Sequence, residues 1–363
     1  MGSPTSIEIG LFIPEGGIMS EIKLVLWNME WMNDLFGPND LPPAFKADQD
    51  TPFHTPGSTV KERRMDLAGV LNEIAPDLVV VVEGPNRTGE LELFFTHDVE
   101  GDWEVQVQYS KGQSQNVGIA VRVDQNKFVE PPFKYFDTNN LSEFDPFLVD
   151  TDDDEIQENY KFERRPLYVE VDPMGGEKFR ILGLHLKSKG IFKAFEWSKW
   201  WQMADANRRK ILAQATQLRL GFIEPYLSSA ETMNIPLIVC GDINDGPGLD
   251  ASEKRLYGSG IERLMGTVWN PGMCLRNALF DTLSDDDRSD LDFSSLSTTS
   301  FKDPIMNNVW HRVWIDHVLY SDKGSGIWIK DAKIWVDMEG GKRIWEKYKH
   351  ASDHFPVEVT VST

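Results

Sequence analysis

Six short apolar segments, each beside or around a polar cluster, limit how this chain can fold more than any other feature. They are rich in β-branched residues and nearly continuous in apolar character, which is typical of strands buried on both faces. The segments are Ile22–Trp27, Leu78–Val82, Phe179–Leu184, Leu237–Cys240, Trp314–Tyr320 and Val357–Val361. Polar residues at the ends of buried strands predict a functional site at one edge of the sheets.

Two segments between these strands are predicted to be helical. Val60–Ile74 has apolar residues near helical spacing and ends before Pro76, which cannot continue a helix. Phe195–Tyr226 is longer and is rich in Trp, Ala, Leu and Arg. No repeat of fixed period is visible, which excludes solenoids and propellers. The alternation of strands and helices therefore predicts a layered α/β fold.

Residues 20–363 are predicted to form one large domain. Residues 1–19 are interpreted as a leader or an extension, because they contain Glu8 and Glu15 but no Lys or Arg, which a secretory signal peptide needs. This favours a cytoplasmic protein, although a mature secreted form would read the same. No apolar run reaches the ~18 residues of a membrane-spanning helix.

Two acidic insertions stand apart from this pattern. Residues 137–158 contain nine Asp or Glu and no Lys or Arg, and residues 281–292 contain six Asp and one Arg. Both are predicted to be solvated loops between strands. Asp150–Glu155 lacks the glycine of a calcium-binding loop, so the solvated interpretation is preferred there.

The formal net charge of -21 opposes indiscriminate binding to nucleic acid or to an anionic membrane. Residues 187–210 differ, with seven cationic side chains against Glu196 and Asp205. This segment either faces an anion or is an ordinary solvated helix face. Trp197, Trp200 and Trp201 lie within it, and they either stack on bases or pack in the core.

The polar clusters offer mostly oxygen ligands together with two histidines. They are Trp27-Asn28-Met29-Glu30-Trp31, Val82-Glu83-Gly84, Leu184-His185-Leu186-Lys187-Ser188, Gly241-Asp242-Ile243-Asn244-Asp245, Ile315-Asp316-His317 and Ser352-Asp353-His354. Cys240 and Cys274, the two cysteines, form no zinc motif. Oxygen ligands favour Mg²⁺, Mn²⁺ or Ca²⁺. A cation, a carboxylate base and hydrogen-bond donors are the parts that phosphate ester hydrolysis requires.

The order and spacing of these clusters resemble the endonuclease/exonuclease/phosphatase superfamily over roughly residues 22–361. That superfamily includes deoxyribonuclease I, abasic-site endonucleases, inositol-polyphosphate phosphatases and bacterial sphingomyelinases. The resemblance implies a deoxyribonuclease I-like fold, a four-layer αββα sandwich of two mixed β-sheets flanked by helices. The site is then expected between the ends of the two sheets.

The resemblance also implies a role for each residue that matches the superfamily's motifs. Glu83 is expected to be the principal metal ligand, with Asn28 and Asp353 also on the metal side.

The catalytic residues implied by the resemblance are five. Asp242 is expected to deprotonate the attacking water, with Asn244 as the donor beside it. His354 is expected to contact the phosphate and Asp316 to orient that histidine. His185 is expected to bind phosphate; abasic-site endonucleases carry Tyr there, so that branch fits less well. His317 follows Asp316 on a strand and is interpreted as structural, because it should point to the opposite face.

Within the superfamily, the segment from His185 to Gly190 is most similar to bacterial nucleases, as is Arg164-Arg165-Pro166-Leu167. A nuclease or other phosphodiesterase is therefore the leading hypothesis. A phosphatase or phosphodiesterase for a small molecule or a lipid head group, of inositol phosphate or sphingomyelinase type, is the alternative. A catalytically silent binding module is disfavoured by the intact residue set, and nothing in the sequence indicates an obligate protein partner.

Overall fold

The computed structural model describes residues 21–37, 41–151, 154–190, 196–247, 256, 258–290, 293–303, 309–322 and 328–363. Two six-stranded sheets form its centre, and two short hairpins lie beside them. The strands are β1 Glu21–Asn28, β2 Leu78–Gly84, β3 Trp103–Gln108, β4 Asn116–Arg122, β5 Phe128–Phe136, β6 Phe147–Val149, β7 Glu158–Tyr160, β8 Leu167–Pro173, β9 Phe179–His185, β10 Leu237–Asp242, β11 Leu275–Asn277, β12 Thr299–Asp303, β13 Val309–Val313, β14 Asp316–Ser321, β15 Ile329–Ile334 and β16 Val357–Ser362.

Both sheets are mixed. The first has the order β15-β16-β1-β2-β4-β3, and the second has the order β11-β14-β10-β9-β8-β5. In the first sheet β1 and β2 run parallel, and in the second β9 and β10 run parallel. The other pairs are antiparallel, among them β1 with β16 and β10 with β14. The parallel pairs matter most for function, because their carboxyl ends open at the same edge.

Three separate cores show that the elements are stacked in four layers. Side chains alternate along each strand, so Leu24 and Leu26 of β1 enter the core between the sheets while Val25 and Trp27 enter the core against α1 and α2. The third core lies between the outer face of the second sheet and α3. The αββα sandwich expected from the sequence is therefore confirmed.

The longer helices cover the outer faces of this sandwich, and short helices lie elsewhere around it. They are α1 Val60–Ile74, α2 Thr88–Asp98, α3 Trp200–Gln217 and the short helices Glu224–Ser228, Gly260–Met265, Ala278–Asp281, Asp285–Asp290 and Ile344–Lys347. α1 has the predicted bounds, since Thr59 and Glu62 form a capping box at its start. The second predicted helix begins at Trp200 and continues through a π turn, Leu218–Ile223. Its predicted start at Phe195 lies outside the described residues.

Each of the six apolar segments contains a strand, and most of these strands extend one or two residues beyond the predicted segment. β14 begins at Asp316 rather than at Trp314. The hydroxyl of Thr298 accepts hydrogen bonds from the backbone N–H groups of Ile315 and Asp316 at 3.1 and 3.0 Å. These contacts, together with the hydrogen bond from the N–H of Ile243 to the carbonyl of Ile315, hold the backbone just before the strand.

The acidic insertions are more ordered than expected. Residues 137–158 include the strand β6 of a short hairpin, and Phe144, Phe147 and Val149 there are buried against the third core. Residues 281–292 include the helix Asp285–Asp290. Residues 291–292 lie outside the described residues, and so do residues 152–153 of the segment compared above with a calcium-binding loop. Acidic composition predicted exposure correctly for many positions but concealed the apolar anchors between them. Within the described ranges, no helix is long and apolar enough to cross a membrane.

Candidate metal and catalytic site

The register of the second sheet lines up three predicted site residues on neighbouring strands. Asp242 at the end of β10 pairs with His185 on β9 and with Asp316 on β14. All three side chains lie on the inter-sheet face, because the residues two or four positions along each strand belong to the inter-sheet core. The sheet thus places a base candidate between a histidine and a second carboxylate.

β10 approaches β9 very closely just before Asp242. Gly241 has a φ of 153°, and a Cβ atom there would lie 2.0 Å from the carbonyl oxygen of Leu184. No side chain can be accommodated at that distance without moving the backbone. Glycine therefore allows the two strand ends to come together under the site.

The first sheet contributes Asn28 from β1 and Glu83 from β2. Glu83 follows the inter-sheet residue Val82, so regular alternation would turn it away from the site. The pairing of β2 with β4 shifts between Val81 and Gly84, and Glu83 has a φ of 54°. This β-bulge is the local feature that turns the carboxylate of Glu83 back towards Asn28.

Backbone strain is concentrated around this site. Eight non-glycine residues have positive φ in the described part of the chain, and five of them surround the site. The five are Glu30, Trp31, Glu83, Gln115 and Asn244. Such conformations cost about 1–3 kcal/mol each and persist where the surrounding structure enforces them, often at functional sites.

Asn28 is the hub that joins the two sheets. Its Nδ2 atom lies 3.4 Å from Oε1 of Glu83, 3.1 Å from Oδ2 of Asp242 and 3.5 Å from Nε2 of His354. Its Oδ1 accepts a hydrogen bond from the backbone N–H of Glu30 at 2.9 Å. One fully buried amide therefore donates to carboxylates from both sheets and lies beside the ring of His354.

Asp242 is held at both carboxylate oxygens. Oδ2 accepts from Asn28, and Oδ1 accepts from the backbone N–H of Asn244 at 2.8 Å. The side-chain amide of Asn244 donates to the carbonyl of Leu186 at 3.2 Å. Burial, and then the charge of Asp316, raise the pKa of Asp242 to about 7. Its orientation and its basicity both suit proton transfer.

His354 and Asp316 form a buried pair. Nδ1 of His354 donates to Oδ2 of Asp316 at 2.8 Å, which leaves Nε2 directed at the space near Asn28. Burial alone would lower the pKa of His354, but the carboxylates around it, Asp316 foremost, outweigh burial and hold the pKa well above its usual value. His354 is thus held as a cation whose Nε2–H can donate.

His185 is in a different electrostatic environment. Its Nδ1 donates to the carbonyl of Gln115 at 3.4 Å, so Nε2 is left as an acceptor, 3.1 Å from Nη2 of Arg164. Burial, followed by the charge of Arg164, lowers its pKa well below the usual value. The neutral imidazole can offer Nε2 to a metal ion. The role as a phosphate donor that the sequence predicted would instead require a proton on Nε2. Arg164 is already a charged donor at the same position.

Four side chains here, those of Gln115, Glu30, Arg63 and Arg164, were given no role by the sequence. Gln115 and the backbone of Trp31 donate to Oε2 of Glu83. Burial, followed by Asp353, raises the pKa of Glu30 to about 7, and Arg63 donates to its carboxylate. Glu30 and Arg164 stood inside quoted clusters, whereas nothing in the sequence pattern around Gln115 or Arg63 marks either residue.

A divalent cation fits this donor set. Glu83, His185 and Asp242 offer ligand atoms within 4.8 Å of one another, and so do Asp242, Asp316 and His354. Oδ1 of Asp316 is buried and has no hydrogen-bond partner among the described residues. Asp353 belongs to neither group, and its Oδ1 lies 3.9 Å from Nε2 of His354 at the more exposed side. Its role as a metal ligand stays a prediction.

His317 occupies the opposite face of β14, as its position in the strand predicts. Its Nε2 donates to the carbonyl of Asp245 at 2.8 Å, and its Nδ1 accepts from the amide of Asn277 at 3.1 Å. Burial lowers its pKa to about 4. Both ring nitrogens are therefore used within the fold, which supports the structural interpretation.

The basic segment is less available than its composition indicates. Lys189 forms an ion pair with Asp245, and Nζ of the half-buried Lys187 donates to the carbonyl of Ser188 at 3.1 Å. Lys193 lies outside the described residues, as does the side chain of Trp197. Trp201 is 53% exposed and is not a core residue.

No protein-family model matches this chain, and no curated protein matches it by sequence. Among solved structures, it resembles TDP2 from Caenorhabditis elegans (TM-score 0.48, 14% identity, covering 94% of this chain and 98% of that truncated chain). It also resembles an AP endonuclease from Leishmania major (0.49, 12%, 94% and 88%) and an endonuclease/exonuclease/phosphatase family protein from Bacteroides thetaiotaomicron (0.48, 13%, 94% and 98%). Similarity at this level adds nothing to the architecture that the chain's own two sheets and three cores define.

Proposed function

We propose that this protein is a divalent-metal-dependent phosphodiester hydrolase of nuclease type, belonging to the endonuclease/exonuclease/phosphatase superfamily. The arrangement of Asp242 is the main support. This buried carboxylate is fixed by Asn28 and by the backbone of Asn244, and it lies within both groups of candidate metal ligands. The sequence resemblance assigned the base to the same residue.

Asp242 is proposed to accept the proton of the attacking water. A carboxylate with a raised pKa is a stronger base than an exposed one, and a positioned base accelerates such reactions by about 100- to 10,000-fold. Its hydrogen bonds to Asn28 and Asn244 fix the direction in which it accepts. A divalent cation bound at Glu83, which we take to be Mg²⁺ or alternatively Mn²⁺ or Ca²⁺, supplies charge neutralisation at the phosphoryl oxygens and the departing alkoxide.

Two cationic groups are proposed to hold the phosphate. His354, kept charged by Asp316, directs Nε2–H into the space that Asn28 also faces. Arg164 approaches from the β9 side with Nη2 next to His185, and its Nε atom is buried without a hydrogen-bond partner among the described residues. Donors placed on both sides of the phosphate stabilise the charge that builds in the transition state.

A diester is the preferred substrate on electrostatic grounds. A phosphodiester carries one negative charge and a monoester nearly two, and the site already contains the carboxylates of Glu30, Glu83, Asp242, Asp316 and Asp353. The protein as a whole has a net charge of -21. Additional charge on the substrate is therefore repelled, and the singly charged ester is tolerated better.

A substrate panel tests the proposal. It contains single- and double-stranded DNA, RNA, a small diester and its monoester, inositol phosphates and sphingomyelin, each with Mg²⁺, Mn²⁺, Ca²⁺ or chelator. We expect metal-dependent cleavage of diesters that Asp242→Asn slows by two or more orders of magnitude. Asp285→Asn makes the same chemical change at a fully exposed side chain and should leave turnover unchanged. Full activity in excess chelator would contradict the proposal.

A small-molecule or lipid head-group phosphoesterase is the second candidate. The acidic surface favours it, because a compact substrate is repelled less than a long polyanion. Turnover of inositol phosphates or sphingomyelin that exceeds that of every nucleic acid would identify this function. A preference for the monoester would leave the catalytic set standing and change the substrate.

A further inference from the structure

A hairpin that no catalytic role uses is joined directly to the catalytic segment. β12 and β13 form this hairpin, and Ser300 of β12 donates its backbone N–H to the carbonyl of Asp353 at 3.1 Å. The hydroxyl of Thr299 donates to the same carbonyl at 2.8 Å, and the N–H of Phe355 donates to the carbonyl of Thr298 at 2.7 Å. The base of the hairpin is thus part of the framework that holds His354.

One face of the hairpin is basic and aromatic. Ser300 pairs with Arg312 and Lys302 pairs with Trp310, so these four side chains share a face, and none of them is acidic. Trp310 is 61% exposed, and Nζ of Lys302 lies 5.1 Å from the centre of its ring. The Lys302–Trp310 pair lies two residues, or about 7 Å at ~3.3 Å per residue, beyond the Ser300–Asp353 hydrogen bond.

These charges are unusual for this chain. Neither Lys302 nor Arg312 pairs with a carboxylate anywhere in the described part of the protein, although Asp and Glu outnumber Lys and Arg by 58 to 37. Packing does not require an exposed Trp between two free cations. Cations bind phosphates and an exposed aromatic face stacks on a base, which together form the usual recognition surface for a single strand.

We propose that the β12–β13 hairpin is a substrate-binding arm for the nucleotides that flank the scissile phosphate of a single-stranded or frayed polynucleotide. Trp310 stacks on a base, and Lys302 and Arg312 bind backbone phosphates. A continuous duplex binds less well, because its bases are already stacked and paired. This inference rests on the proposed function and names its substrate class.

A lipid bilayer fits the same face less well. Lys302 lies directly across from Trp310, so inserting the ring into hydrocarbon would take the ammonium group with it, which is costly. On a polynucleotide the same adjacency is favourable, since base and phosphate alternate along the strand. Vesicle binding is therefore the competing outcome of the test.

Fluorescence anisotropy with a labelled oligothymidylate of about 12 nucleotides tests the arm without turnover, in an Asp242→Asn background with Mg²⁺. We expect Trp310→Ala to raise the dissociation constant about tenfold and Trp310→Phe to restore most of the affinity. Lys302→Gln combined with Arg312→Gln should make the slope of log association constant against log salt concentration shallower by about 1.4, the value for two phosphate contacts on a single strand. Trp269→Ala removes a tryptophan that is 90% exposed elsewhere and serves as the matched control, with no change expected.

Turnover separates this inference from the proposed function. In the otherwise unmodified protein, Trp310→Ala should impair cleavage of the oligonucleotide while hydrolysis of methyl 4-nitrophenyl phosphate stays unchanged. Unaltered oligonucleotide binding and cleavage in Trp310→Ala would overturn the arm, with diester hydrolysis still standing. Loss of binding to phosphatidylserine vesicles instead of to the oligonucleotide would overturn it in favour of a bilayer. Absence of any diester hydrolysis in the unmodified protein would refute the proposed function, whereas Trp310-dependent binding would still support the arm.

Discussion

Replacing His317 with Gln tests whether this buried histidine makes the fold sensitive to mild acid. Burial lowers its pKa to about 4, whereas the unfolded chain has the ordinary value near 6.5. Between these values the unfolded state binds a proton that the folded state does not, so stability is present in full above about pH 6.5 and falls as the pH drops. Gln can keep the donor to the Asp245 carbonyl but cannot titrate.

The two pKa values set the size of the effect. At about pH 5 the titration of His317 lowers the free energy of unfolding by roughly 2 kcal/mol, and below about pH 4 this loss approaches ~3.4 kcal/mol. Other groups titrate in the same range, so the informative quantity is the difference between wild type and His317→Gln at each pH.

Urea denaturation at several pH values between about 7.5 and 5 measures that difference. We expect the variant to be less stable than the wild type near neutrality, because the amide of Asn277 loses its acceptor. The difference in free energy of unfolding between the two proteins should then narrow by about 2 kcal/mol at pH 5. Parallel stability curves for the two proteins would show that His317 does not titrate with a lowered pKa, and the reasoning would be refuted.

Three further predictions concern the site. Glu83→Gln should lose most metal affinity and turnover, because Glu83 is the carboxylate that the β2 bulge turns into the site. Calorimetry with Mn²⁺ measures the affinity, and an unchanged value would show that another residue is the principal metal ligand. Asp316→Asn and His354→Gln should each reduce kcat strongly. The double variant should have a kcat only slightly below that of either single variant, because the two side chains, 2.8 Å apart, act as a unit. Additive losses of kcat would show that the two residues have independent roles. Gly241→Ala should destabilise the fold by several kcal/mol, about 3 or more, because a Cβ atom would lie 2.0 Å from a backbone oxygen; a wild-type melting temperature would contradict that contact.

Local pattern determined much of this protein. The apolar segments identified six of the twelve strands in the two sheets, and apolar spacing together with Pro76 predicted the bounds of α1 that the structure has. These features depend on residues close in sequence, whose periodicity and proline positions can be read directly. The same periodicity distinguished His317 from Asp316, because strand alternation assigns neighbours to opposite faces.

The tertiary structure decided how those elements form a site. Glu83 reaches the metal-ligand group only through a bulge against β4, and Gln115 and Arg63 enter from segments with no signal of their own. The sequence also could not show that Lys189 is unavailable to a substrate, because its ion-pair partner Asp245 is distant in the sequence. Contacts between residues distant in sequence depend on how the sheets stack, and composition records charges without recording which of them are paired.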